Sequence, residues 1–144
     1  MFGPPVHTQT WMELKMKQTV IALALLCGCG FSLAKWVYFG NDGDRSDYIN
    51  EELQFNGDSV RFWVVQDYKK PEALEGKNIN YVSQKNLYQI DCADNLFSII
   101  VLEYYDKHMA NGSKLFYVAE PSKPMEIAPD TFGDALKEFV CKSE

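Results

Sequence analysis

Residues 80–92, Asn-Tyr-Val-Ser-Gln-Lys-Asn-Leu-Tyr-Gln-Ile-Asp-Cys, limit what this chain can fold into more than any other stretch. Tyr81, Ser83 and Lys85 alternate with Val82 and Gln84, and Leu87, Tyr88 and Ile90 continue a β-rich run down to Cys92. A period of two with many aromatic and β-branched side chains predicts a strand. Cys92 has one candidate partner, Cys141, which ends the best helix signal in the chain. A bond between them ties a strand to the last helix and sets the architecture of the C-terminal half.

Such a bond needs an oxidising compartment, and the N-terminus argues for one. Lys17 precedes an apolar run from Val20 to Leu26, and Gly28, Gly30, Ser32 and Ala34 supply small residues up to a Ser-Leu-Ala cleavage site. This is the pattern of a secretory signal peptide, and it is shorter than the roughly 20 apolar residues of a membrane-spanning helix. Residues 1–15 are a polar, proline-containing preface without that logic, so Met16 is the expected initiator. Residues 1–34 then read as preface and signal peptide, and residues 35–144 as a single domain exported to the periplasm or cell surface.

Cys27 and Cys29 fall in the leader, which leaves Cys92 and Cys141 as an even pair expected to form a disulfide. Closing a loop of roughly 50 residues stabilises the fold by about 4 kcal/mol in the chain-entropy view. A redox-active pair would need a Cys-x-x-Cys spacing or an activating base, and neither is present. Leu26-Cys27-Gly28-Cys29 loosely matches a lipobox, in which Cys29 would carry a lipid; ordinary soluble export is the favoured reading over that anchor.

Along the exported part, residues 36–39 form a short β-rich run and residues 41–47 carry turn chemistry. Residues 48–55 are expected to pair antiparallel with 59–68 through Asn56-Gly57, since Asn-Gly between β-rich runs is a strong hairpin signal. In the second arm Val60, Phe62 and Val64 alternate with Arg61, Trp63 and Val65, so both faces have something to bury and the strand is expected to be central. Residues 69–78, with Pro71 and Gly76, read as an exposed, mobile connection. Residues 96–106 lack Gly and Pro and predict an interior strand. Residues 114–119 return after Asn111-Gly112, and residues 121–129, rich in proline, predict an irregular crossing.

Residues 131–141 predict the helix. Thr131 is a natural N-cap with Asp134 three residues on, and Phe132, Ala135, Leu136, Phe139 and Val140 make one apolar stripe. A helix this short is marginal in water and must pack on the sheet. The sum is an α+β fold, with an antiparallel sheet of about six strands, one C-terminal amphipathic helix on one face, and a disulfide between them.

The chemistry is sparse. A formal net charge of −6 lacks the clustered Lys and Arg that a sequence-independent phosphate binder requires, so nucleic acid is not an expected partner. His108 is the one histidine left after processing; in a polar turn it reads as solvated, although a small periplasmic hydrolase would use it with nearby carboxylates. The acidic run 41–47 fails as an EF-hand, because Asp47 stands where the loop glycine belongs and Leu53 where the bidentate Glu belongs. No metal, other cofactor or catalytic residue is expected. Aromatic residues make up 14% of the chain and concentrate on the strands; about half must build the core, and exposed Tyr and Trp anchor protein partners well. Trp63, Tyr81, Tyr88 and Tyr104, with Lys85, form the candidate partner-binding surface of a non-catalytic binding module, whether a surface adhesin or a periplasmic protein of structural or interaction role without adhesion.

The ordered set of motifs resembles the surface-adhesin protein E family of Gram-negative bacteria. It comprises Trp36, then Tyr48-Ile-Asn followed by Gly57, then Val60-Arg-Phe-Trp63 with Asp67. It continues with Ser83-x-Lys85 leading to Tyr88-Gln-Ile-Asp-Cys92, and ends with Ile127-x-Pro129-x-Thr131 ahead of Ala135-Leu136 and Val140-Cys141. The resemblance implies a curved sheet with a C-terminal helix, a Cys92–Cys141 bond, dimerisation, and an adhesin-like role in binding host extracellular-matrix or serum proteins.

Overall fold

The computed structural model describes residues 35–142. The signal peptide, the Met16 start and the Cys29 anchor lie outside the described residues. The strands are β1 (Trp36–Asn41), β2 (Arg45–Asn50), β3 (Gln54–Asn56), β4 (Ser59–Ala73), β5 (Asn80–Asp91), β6 (Leu96–Tyr105), β7 (Lys114–Val118) and β8 (Met125–Glu126). All pairings are antiparallel, and the main path runs β1-β2-β4-β5-β6-β7, with β3 added to β4 and β8 to β6. The apolar strand β4 and the alternating strand β5 are therefore central, as their side-chain patterns require.

Four local expectations change. Residues 48–55 are not one strand: β2 and β3 are separate and pair with different parts of β4, Tyr48 opposite Val65 and Asn56 opposite Ser59. The hairpin loop is Gly57-Asp58 rather than Asn56-Gly57, with positive φ at Gly57 alone (60°), which is the II′ arrangement with glycine first. β4 also runs past Tyr68 to Ala73, absorbing Pro71 where its register against β5 shifts between Asp67 and Glu72. A proline is tolerated at such an irregularity because the ladder bond it cannot donate is already missing. Finally, the proline-rich crossing contains β8, which pairs Met125 with Phe97.

Helix α1 (Phe132–Cys141) begins where the cap predicts, the Thr131 hydroxyl accepting from the Asp134 amide at 3.3 Å. It lies on one face of the sheet. Leu136 and Val140 are fully buried there against Ile49, Val60, Phe62, Val64, Tyr88, Ile90 and Ile127. Phe139 of the expected stripe sits at its margin, 39% exposed. Cys92 and Cys141 are bonded, so the far end of α1 is fixed where β5 ends.

Candidate functional site

Antiparallel register puts directly opposed residues on the same face, so each face of the sheet can be read as cross-strand rows. On the helix side one row runs Val37, Ile49, Val64, Asn86, Leu102, Val118, and the next runs Asp47, Gln66, Gln84, Tyr104, Phe116. On the opposite side the rows are Tyr38, Tyr48, Val65, Lys85, Glu103, Tyr117, then Trp63, Leu87, Val101, then Gln54, Arg61, Gln89, Ser98. One face grades from apolar to polar beneath and beside the helix. The other mixes aromatic, aliphatic and charged groups.

The five candidate binding residues divide between these faces. Trp63 and Lys85 share the face opposite the helix, where the Lys85 ammonium stands 4.4 Å from the centre of the Trp63 ring, a cation–π pair. Tyr88 and Tyr104 lie on the helix side, and the Tyr81 ring meets Tyr104 at 4.6 Å and Tyr68 at 5.4 Å. These three tyrosines are more than nine-tenths buried, so they do not share a surface with Trp63 and Lys85. The Tyr81 hydroxyl belongs to a polar cluster: Gln84 donates to the Tyr68 and Tyr81 hydroxyls, both at 3.0 Å.

A relay crosses the same cluster. Arg45 Nε donates to Asp47 at 3.0 Å, Gln66 bonds Asp47, and Asn86 Nδ2 donates to Gln66 Oε1 at 3.2 Å and to the Tyr88 hydroxyl at 2.9 Å. The carboxylate at one end orients each amide in turn. The orientation leaves Asn86 Oδ1 buried without a hydrogen bond. Burial raises the Asp47 carboxyl above its usual range despite the pull of Arg45. Burial also pushes the Tyr88 hydroxyl up to about 12.

On the opposite face Glu103 is 6% exposed and accepts from two donors: Tyr105 at 2.7 Å and the Lys114 ammonium. Its hydrogen bond raises the lysine above the usual ammonium range. Lys114 also stands 5.0 Å from the centre of the Tyr117 ring, which is 52% exposed. This face therefore presents two lysines, each over an aromatic ring, in adjoining parts of one surface.

At one end of the same face, Asp67 and Ser83, directly opposed on β4 and β5, hold the turn His108–Ala110. Asp67 Oδ1 accepts from the Met109 amide at 2.8 Å, and Ser83 Oγ accepts from the Ala110 amide at 2.9 Å while donating to the Lys107 carbonyl at 2.5 Å. Met109 and Ala110 have φ of 56° and 54°, a left-handed conformation that side chains resist, so the turn depends on these anchors. Gly112 completes it at φ 78°, where any Cβ would collide with the Asp106 side chain. His108 Nδ1 lies 3.1 Å from Asp67, an arrangement that can orient a base. However, Ser83, fully buried and committed at both ends of its hydroxyl, is not aligned as its nucleophile. The acidic turn is likewise used internally: Asp42 accepts from the Arg45 amide at 3.1 Å and pairs with its guanidinium. No group of three or more His, Cys, Asp or Glu among the described residues is placed to hold a metal.

Sequence reasoning did not assemble the Glu103–Lys114–Tyr105 group or the Asp67–Ser83 anchor. Both depend on register between strands distant in sequence, and only the alternation of each strand hinted at which residues would share a face.

Residues 36–142 match the family model described as Surface-adhesin protein E. Among solved structures, Haemophilus influenzae protein E aligns with a TM-score of 0.56 at 16% identity, covering 75% of this chain and 86% of that one. Another crystal form gives 0.57 at 16% identity over 74% and 87%. Protein E from non-typeable Haemophilus influenzae gives 0.56 at 13% identity over 98% and 82%. At these identities the likeness carries the fold. No curated protein sequence matches the chain. Among the described residues no helix is long and apolar enough to cross a membrane.

Proposed function

Because the chain belongs to the surface-adhesin protein E family, we propose that it is an exported, non-catalytic binding protein of the bacterial cell envelope, an adhesin for host extracellular-matrix or serum proteins. In this reading residues 16–34 direct export, behind a preface of residues 1–15, and residues 35–144 form the binding domain. The observation that carries the proposal is the face opposite the helix. There Trp63 and Lys85 pair within a row system that also offers Tyr48, Leu87 and Val101, a mix of aromatic anchor, aliphatic surround and held charge suited to a protein partner. Tyr81, Tyr88 and Tyr104 stiffen the sheet from behind.

The test has two arms. Antibody raised against the domain should label intact cells, and the purified full chain should bind at least one member of an immobilised panel of matrix and serum proteins in a saturable way. Intact cells left unlabelled, with label appearing only after the outer membrane is opened, would refute the adhesin role, as would a panel without saturable binding.

A further inference from the structure

The chain contains two arginines, Arg45 and Arg61. Arg45 is neutralised between Asp42 and Asp47 at 3.3 and 3.0 Å. Arg61, in a chain of net charge −6, has no carboxylate partner among the described residues. Its Nε donates instead to the neutral amide oxygen of Gln89 at 2.6 Å across β4 and β5. That bond holds the guanidinium side-on and leaves its two terminal nitrogens for another acceptor.

The guanidinium stands in a hollow of about 270 Å³, open to solvent, formed by Gln54, Phe55, Asn56, Ser59, Arg61 and Gln89. Register places Gln54 directly opposite Arg61 and Asn56 opposite Ser59, so β3 supplies one wall and β5 the other. Asp91, one row beyond Gln89, accepts from the Ser59 hydroxyl at 3.3 Å and the Asp94 amide at 2.9 Å and makes no ion pair with Arg61 among the described residues. The Gln54 and Asn56 side-chain amides and the Gln89 NH₂ have no partners among the described residues. Each amide group offers both a donor and an acceptor, apart from the Gln89 oxygen already used.

We propose that this hollow is a binding site for a carboxylated monosaccharide, a hexuronate unit. Its carboxylate lies on the terminal nitrogens of Arg61, a planar bidentate match that leaves no charge unpaired. The ring hydroxyls, each both donor and acceptor, exchange hydrogen bonds with Gln54, Asn56 and Gln89. The hollow is smaller than the usual pocket for a drug-sized ligand and suits one sugar ring of a longer glycan. The site stands on its own geometry and does not rest on the adhesin reading.

The test is a nuclear magnetic resonance titration of the isotopically labelled full chain with sodium glucuronate. With two arginines, the Nε–H signals separate the site from the rest of the molecule. Arg61 and the side-chain amides of Gln54, Asn56 and Gln89 should shift in a saturable way while Arg45 stays in place. Arg61→Gln should weaken binding at least ten-fold, and Gln54→Ala, on a short exposed strand, should weaken it several-fold without altering the fold seen in the same spectra. Glucose, acetate and N-acetylglutamate α-amide should each bind at least ten-fold more weakly than glucuronate. The proposal is overturned if no saturable shift occurs, if Arg61→Gln binds as the parent does, or if glucose binds as tightly as glucuronate. Acetate or the glutamate derivative matching glucuronate would also overturn it, since a bare or peptide carboxylate would then be the ligand.

Discussion

The two faces of β4 and β5 share one backbone and divide its work. On the helix side, Val60, Phe62, Val64, Tyr88 and Ile90 disappear beneath α1 and Ile127, and the polar residues beyond them are buried in a relay that ends at Arg45. On the other side, among the described residues, Arg61 pairs with Gln89 and Lys85 with Trp63 across the same two strands. The first face is held by burial and a covalent bond, and losing any part of it exposes or unpairs something. Beyond the buried Val65 and Ser83, the second face is held by contacts worth little to stability and is free to be used. A single residue step along a strand moves a side chain from one task to the other.

The comparison breaks most severely at the disulfide. Replacing both Cys92 and Cys141 with Ser should lower stability by about 4 kcal/mol, read as a fall in the denaturant midpoint that reductant reproduces in the parent and leaves unchanged in the variant. Next is Leu136→Ala, which leaves a cavity at a fully buried position and should cost about 3 kcal/mol. A loss below about 1 kcal/mol in chemical denaturation would mean that α1 is not part of the core.

Alkaline pH acts on the helix side as well. The Tyr88 hydroxyl, pushed up to about 12 by burial, keeps its proton in the folded chain where the unfolded chain, at the ordinary value of 10, has lost it. Stability is thus full below pH 10 and falls as pH rises toward 12, by roughly 2–3 kcal/mol from this group. Tyr68 and Tyr104, raised by the same cause, add to the slope. Unfolding midpoints across that window should decline, and Tyr88→Phe should flatten part of the decline; an unchanged slope would place the titration elsewhere.

Much of the helix-side face could be read from the sequence because its signals are local. The alternation in 80–92, the Thr131 cap with Asp134, the stripe at Leu136 and Val140, and the cysteine pair each predict their own outcome. What escaped lay in register. The break between β2 and β3 has no marker stronger than the polar Glu51-Glu52. The extension of β4 through Pro71 runs against the ordinary meaning of proline and depends on a pairing irregularity. The division of the aromatic residues followed the same limit. Trp63 and Lys85 come together because Val65 opposes Lys85 and Trp63 opposes Leu87, whereas Tyr81, Tyr88 and Tyr104 are gathered by packing against Tyr68, Phe62 and Phe97. Alternation gives a strand two sides; only the partner strands decide which side is covered.

The smallest expected effect on stability is also the largest on binding. In Trp63→Ala with Lys85→Ala, the lost cation–π pair and partly buried ring should cost about 1 kcal/mol, because the helix and the core beneath it are untouched. Affinity for whichever matrix or serum protein the parent binds should fall at least ten-fold. Measuring unfolding and binding on that one variant tests the division of labour directly: near-parental stability with binding lost is the predicted result, and parental binding, or a loss of stability comparable to Leu136→Ala, would contradict it.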